Sequence, residues 1–219
     1  MAAVNSMSIR LLLCDDHRIV REGIKQVLAD APEMNVIAEA SDGEQALKVV
    51  SQWHKSLHVV LLDIALPGRD GLDVLQQIKF DHPSLPVLML STYPERQYAV
   101  RCLKLGASGY LNKSADPEDM LAAIRKVAAG GVYVTANTAD ALATAMSKTG
   151  NKSGAEALSH REHQVFRLLI LGRSVSEIGA QLKLAPNTVS TYRARILEKT
   201  AVKNDVELAL YAQQLGVRD

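Results

Sequence analysis

A chain of 219 residues holds one large domain or two ordinary ones, and 47% apolar with 22% charged residues is the composition of a globular protein. Two cysteines, Cys14 and Cys102, each in an apolar setting, argue against a disulfide scaffold and for a reducing compartment. Residues 1–7 lack the basic start and apolar core of a signal peptide, and no apolar run reaches the ~18 residues of a membrane helix, so a cytoplasmic protein without membrane contact is expected.

The net charge of +1 is unevenly spread: residues 158–219 carry nine basic against six acidic groups, the rest 16 against 18. Chance scatter and contact with phosphate both fit that difference, and charge alone does not decide between them.

In chain order, residues 1–8 form a tail, and residues 9–130 then alternate between two patterns. Short β-rich runs fall at Ile9–Cys14, Val36–Glu39, Val59–Asp63, Val87–Ser91 and Tyr110–Leu111. Helical stretches lie between them, near 17–29, 43–51, 71–80, 95–105 and 117–129. Ser41-Asp42-Gly43-Glu44 and Ser114-Ala115-Asp116-Pro117 have the chemistry of helix starts, the second with Pro in the first turn. Five such alternations predict an α/β fold, a five-stranded, doubly wound parallel sheet with helices on both faces. Gly130-Gly131 closes the last of these helices. Residues 131–156 read as a linker with one Ala-rich helix at 136–149 and a flexible stretch at 150–154. Residues 157–219 are all helical in pattern, with four helices near 160–171, 175–182, 186–199 and 205–214. Ser159/Glu162, Ser174/Glu177 and Asn204/Glu207 have capping-box spacing.

Ligands collect at the carboxyl ends of parallel strands. Asp15, Asp16, Asp63, Ser91 and Lys113 all fall at or just past such ends, a coincidence more specific than any one of them. Taken singly, Asp15 and Asp16 could cap a helix and Asp63 could be a loop acid. Together, three carboxylates repel one another unless a cation or proton intervenes. Magnesium suits them, because it takes oxygen ligands and bridges to phosphate. A free carboxylate beside it can attack a phosphoryl donor and become an acyl phosphate. Lys113 can neutralise the transferred group, and Ser91 can donate a hydrogen bond to it.

In the C-terminal part, helix 175–182, a break at 183–185 and helix 186–199 have the layout of a helix-turn-helix, whose second helix enters the major groove. Val189, Tyr192 and Ile196 share one face and are expected in the core, which turns Ser190, Thr191, Ala194 and Arg195 outward. The same face would also suit a solvated bundle. Arg193 and Arg195 could serve phosphate, or one could read guanine. On the last helix, Val206, Ala209, Leu210 and Gln213 form a stripe for which core packing is the default.

The segments Leu-Cys-Asp15-Asp16-His, Leu-Leu-Asp63-Ile-Ala-Leu-Pro67-Gly68, Leu-Ser91-Thr92 and Gly-Ala-Ser-Gly-Tyr110-Leu-Asn-Lys113 carry a resemblance. Residues 9–130 resemble a response-regulator receiver domain, residues 158–215 resemble a LuxR-type DNA-binding domain, and the whole chain resembles the NarL/FixJ transcription factors. The likeness implies that Asp63 is the phosphoacceptor, supplied by a cognate sensor histidine kinase. It implies a magnesium ion on Asp15, Asp16, Asp63 and the backbone carbonyl of Ala65, and a switch pair in which Ser91 moves toward the phosphoryl group and Tyr110 fills its space. It implies base-facing Ser190, Thr191 and Ala194, backbone-facing Thr188, Arg193 and Lys199, and dimers on two-fold-related duplex DNA through Val206, Ala209, Leu210 and Gln213. RNA polymerase is a further candidate partner.

The sequence departs from the family pattern in places. Ser114 follows Lys113 where many receivers have proline, which leaves the usual cis bond there open. Ala65 and Tyr93 flank the acceptor and bear on phosphate lifetime in a direction the sequence does not give. Ala185 replaces a capping Ser or Thr, Ala194 a basic residue, and Thr200-Ala201 the usual Leu-Gly. The expectation is a phosphorylation-controlled transcription factor rather than an enzyme. A DNA-binding regulator that needs no phosphate is the alternative. An aspartyl-phosphate phosphatase lacks support, because Ala65 stands where its second acid belongs.

Overall fold

The computed structural model describes residues 8–93, 95–147, 154, 158–182 and 184–214. They fall into two compact units, residues 1–148 and 149–219. Most of the flexible stretch expected at 150–154 and Lys183 of the helix-turn-helix break lie outside the described residues.

The first unit is a five-stranded parallel sheet of β1 (Ile9–Cys14), β2 (Met34–Ala40), β3 (Val59–Asp63), β4 (Val87–Ser91) and β5 (Gly109–Asn112), in the order β2-β1-β3-β4-β5. The strand order reverses between β1 and β3, which opens a crevice at their carboxyl ends. Those two strands pair with Cys14 opposite Leu62, one residue before Asp15 and Asp63.

Buried strands of a parallel sheet are apolar on both faces, and the period of two divides them. Leu12, Cys14, Val60, Leu62, Met89 and Tyr110 face a core closed by α2 (Gly43–Trp53), α3 (Gly71–Asp81) and α4 (Glu95–Lys104). Leu11, Leu13, Leu61, Leu88 and Leu111 face α1 (Arg18–Leu28) and α5 (Pro117–Ala128). Both cysteines are buried and unbridged, and burial pushes the Cys102 thiol up to about 12 and that of Cys14 higher still, so neither is a nucleophile at neutral pH.

Local chemistry sets the helix starts. Asp42 accepts from Gln45 N–H, and Asp70 accepts from Leu72 and Asp73 N–H. Pro117 opens α5 as expected, although Asp116 makes no capping hydrogen bond. Gly71 is dictated by space: a Cβ there would lie 2.0 Å from the Asp63 carbonyl oxygen, so only glycine lets α3 start against the end of β3. The linker helix α6 (Ala136–Ser147) belongs to this unit and packs on α4. Glu95, at the start of α4, accepts from the hydroxyls of Thr135 and Thr138 at the start of α6.

The described residues of the second unit form four α-helices, α7 (His160–Ile170), α8 (Val175–Leu182), α9 (Pro186–Thr200) and α10 (Asp205–Gln214). Leu158, Val165, Phe166, Ile178, Val189, Ile196 and Leu208 form its core, with Tyr192 packed against it. The Ser159/Glu162 capping box is complete, and Ser174 and Glu177 also exchange both bonds. At the third, Glu207 N–H donates to Asn204, but the Glu207 carboxylate reaches back to Lys203 N–H instead.

Candidate phosphoacceptor and DNA-reading sites

The ends of β1, β3, β4 and β5 bring Asp15 and Asp16, Asp63, Ser91 and Lys113 to the crevice. Asp15 and Asp63 are buried, Asp16 is half-buried, and these carboxylates with His17 offer ligand atoms within 4.8 Å of one another. That is a donor set of hard oxygens with an added imidazole, and it fits an oxygen-seeking divalent cation. His17 was not anticipated as a neighbour. Its ring Nδ1 lies 2.7 Å from Asp16 Oδ1, and its backbone N–H donates to Asp15 Oδ1 at 2.9 Å.

Lys113 Nζ reaches across from the end of β5 to Asp15 Oδ2 at 2.6 Å and Asp63 Oδ2 at 2.9 Å. Burial works against its charge, but the two carboxylates hold its pKa above the ordinary lysine value. For Asp63, burial raises the pKa most; Lys113 pulls it back, Asp15 raises it, and the Ala65 N–H donates to the carboxylate. The net direction is upward. A desolvated carboxylate held between one ammonium and one backbone N–H is oriented and poorly solvated, which suits a nucleophile.

Ser91 and Tyr110 are both buried on adjacent strands. Ser91 Oγ accepts from Tyr93 N–H at 3.0 Å, and Tyr110 OH donates to the Tyr93 carbonyl at 2.7 Å. Burial pushes the Tyr110 phenol above its ordinary value, so it remains a donor. No peptide bond among the described residues is cis, so Lys113–Ser114 is trans. Sequence reasoning missed Asn112, whose amide also donates to the Tyr93 carbonyl at 3.0 Å. A polar residue closing an apolar strand, one place before Lys113, was the signal.

In the second unit, Ser190, Thr191, Ala194 and Arg195 are exposed on one side of α9, with Thr188 half-buried beside them. The Thr191 hydroxyl bonds back to the Asn187 carbonyl at 3.0 Å, which turns its methyl outward. Two of the expected phosphate-facing cations are already paired. Arg193 Nε donates to both carboxylate oxygens of Asp205, at 2.8 and 3.0 Å, and Lys199 Nζ lies 2.6 Å from Glu162 Oε2. No ion pair engages Arg195 among the described residues. Ala185 makes no capping bond, and Ala201 ends α9 in the left-handed region at φ 56°. On α10, Val206, Leu210 and Gln213 are exposed and Ala209 half-buried, so their stripe is not core.

Residues 11–125 match the family described as response regulator receiver domain, and residues 156–212 that described as bacterial regulatory proteins, luxR family. The chain is 38% identical over 212 residues to the response regulator GacA of Pseudomonas viridiflava, covering 96% of this chain and 98% of the relative. It is 35% identical over 212 residues to the response regulator UvrY of Escherichia coli K12, covering 95% of each. Among solved structures, RcsB from Salmonella enterica serovar Typhimurium, bound to promoter rprA in the presence of phosphomimetic BeF3-, matches with a TM-score of 0.61. That match is at 26% identity and covers 94% of this chain and 98% of that one. With a doubly wound receiver fold and a LuxR-type reader in one chain, this protein belongs to the NarL/FixJ family of two-component response regulators, DNA-binding transcription regulators controlled by phosphorylation.

Proposed function

We propose that Asp63 accepts a phosphoryl group from the phosphohistidine of a sensor kinase, and that this controls the binding of the second unit to DNA. A carboxylate oxygen of Asp63 attacks phosphorus, the P–N bond breaks, and the imidazole leaves. The observation that carries this reading is the convergence of Lys113 on Asp15 and Asp63 at the β1/β3 crevice, beside the Ser91 hydroxyl. Asp15, Asp16 and Asp63, with the Ala65 carbonyl, are the proposed magnesium ligands. A magnesium ion held there offsets charge on the transferring phosphoryl group. Lys113 binds a phosphoryl oxygen, and Ser91 donates to another. Ala65 supplies no second acid, so the site accepts phosphate and does not act as a phosphatase on other substrates.

Tyr110 and Ser91 form the switch, and its output biases an equilibrium rather than pulling a wire. Ser190, Thr191 and Ala194 are placed against base edges; Thr188, Arg193, Arg195 and Lys199 lie nearest the phosphates. Two copies pair through Val206, Ala209, Leu210 and Gln213 on a two-fold-related site, the isologous arrangement a dimer favours. RcsB is the named precedent for two dimers bound to DNA. RNA polymerase stands as a further proposed partner. A cytoplasmic site of action fits a regulator whose described helices include none long and apolar enough to cross a membrane.

Radiolabelled acetyl phosphate with magnesium tests the acceptor. Label should enter the wild type and be absent from Asp63→Ala, and label persisting in that variant sinks the assignment. DNA affinity that is equal for both proteins, with and without acetyl phosphate, would favour a regulator that needs no phosphate.

A further inference from the structure

We propose that Asn112 is a positioning residue that braces the two loops facing Asp63 against each other, and that through Tyr93 it sets how long the Asp63 phosphoryl group survives. The inference rests on Asp63 being the acceptor.

β4 and β5 pair in parallel with Ser91 opposite Asn112, so the loops carrying Ser91 and Lys113 leave the sheet side by side. The Asn112 side chain joins them. Its Nδ2 donates to the Tyr93 carbonyl at 3.0 Å, while its Oδ1 accepts from Ser114 N–H at 2.9 Å and from Ser114 Oγ at 2.6 Å. Lys113 is held between these bonds, and its own N–H donates to the Ser91 carbonyl at 2.8 Å.

The donor arm reaches the switch loop. Tyr110 OH donates to the same Tyr93 carbonyl, so both of its lone pairs are used. With Tyr93 fixed at that end, its N–H donates to Ser91 Oγ, whose hydroxyl is also hydrogen-bonded to Tyr110, so the loop, Ser91 and Tyr110 form one connected network. The Tyr93 ring is tilted against Tyr98 of α4 at 5.1 Å between centroids. In hydrolysis, water adds to phosphorus, the P–O bond to Asp63 breaks, and inorganic phosphate leaves with the carboxylate regenerated. A Tyr93 loop that swings freely admits that water.

A local turn explains only half of these contacts. Closing a turn over Ser114 needs the Asn112 oxygen alone, and an aspartate would serve as well. The amide donor, spent on a carbonyl 19 residues earlier, is what the turn does not require.

The two arms are separable with the full-length protein, saturating magnesium and radiolabelled acetyl phosphate. Asn112→Asp keeps the acceptor for Ser114 and loses the donor to Tyr93. It should lose label about fivefold faster, the scale of one neutral hydrogen bond, with its rate of gaining label reduced no more than about twofold. Ser114→Ala should show the reverse split: loss of label as in wild type, and gain slowed about twofold or more. Asn112→Leu should change both. Asn112→Asp losing label at the wild-type rate overturns the proposal, as does an equal shift of both rates in Asn112→Asp and Ser114→Ala. Should Asn112→Asp fail to fold by circular dichroism, Asn112→Leu decides in its place, and loss of label at the wild-type rate in that variant overturns the proposal. Label that enters Asp63→Ala, or never enters the wild type, defeats the acceptor assignment itself and this inference with it.

Discussion

Lys199 Nζ lies 2.6 Å from Glu162 Oε2, and the same carboxylate oxygen accepts from Ser159 N–H at the start of α7. The Glu162 side chain is 3% exposed, so it has few partners besides these. Lys199 therefore ties the end of the reading helix to the opening of the domain. Burial alone would raise the Glu162 pKa, but the Lys199 ammonium and the Ser159 donors hold it below the ordinary carboxylate value. A depressed folded-state pKa contributes stability above the unfolded value and loses it as pH falls through the folded one. Unfolding in urea should show a decline in the second unit that sets in below about pH 4.5 and is flattened in Glu162→Gln. Lys199→Ala should cost about 2 kcal/mol at neutral pH, the scale of a hydrogen bond to a charged group. A neutral pH stability equal to wild type would return Lys199 to a purely DNA-facing role.

Ala201 presents a different opportunity. It holds φ 56° with a Cβ, where the sequence already lacked the glycine best suited to such a helix end. A left-handed L-residue costs roughly 1–2 kcal/mol, offset in part by the freedom glycine gains when unfolded. Ala201→Gly should raise the stability of the second unit by about 1 kcal/mol, read as a higher urea midpoint at unchanged slope. A lower midpoint would mean that unfolded-state freedom wins.

Arg195 is exposed on the outward side of α9, whereas Arg193 is shared with Asp205. If Arg195 neutralises one phosphate, Arg195→Ala lowers the slope of log affinity against log salt by about 0.9, uniformly across DNA sequences. Loss confined to one base position, with the slope unchanged, would make it a base reader instead. Binding titrations at several salt concentrations separate the two.

Glu95 holds the start of the linker helix through Thr135 and Thr138, only two residues beyond Tyr93. A carboxylate at two helix starts also meets their positive dipole ends. Glu95→Ala should therefore raise amide exchange in α6 several-fold while leaving β4 and β5 protected, as hydrogen exchange by mass spectrometry would resolve. Unchanged α6 protection would show that apolar packing on α4 suffices.

Much of this was legible in the sequence for a physical reason. Strands buried on both faces read as unbroken apolar runs, and a carboxylate that ends such a run has to emerge at a strand tip, as Asp15 and Asp63 do. Val189 and Ile196 were legible because a 3.6-residue period marks a buried helix face, and both are fully buried. Pairing between distant side chains was not legible. Nothing local to Lys199 or Arg193 announces Glu162 or Asp205, and both cations looked free for phosphate. The reach of Asn112 to Tyr93 and the docking of an Ala-rich helix on α4 likewise depend on which strand ends lie side by side.

Asp63 should make the protein less stable than it could be. Burial, chiefly, raises its pKa, Asp15 adds to this, and Lys113 only partly opposes it. A raised carboxylate pKa favours folding below the unfolded value, and that contribution is lost as pH rises through the folded one, so at neutral pH the ionised group is a liability. Asparagine keeps its shape without the charge, and Lys113 retains Asp15 at 2.6 Å. In chelator, Asp63→Asn should therefore melt about 3 °C higher than wild type, the response of a domain of this size to roughly 1 kcal/mol. Magnesium should narrow that gap, because binding to the folded state stabilises the wild type by mass action and the variant has lost one ligand charge. Thermal unfolding with and without magnesium measures both effects. A variant that melts lower than wild type in chelator would mean that the Lys113–Asp63 attraction outweighs the desolvation of Asp63.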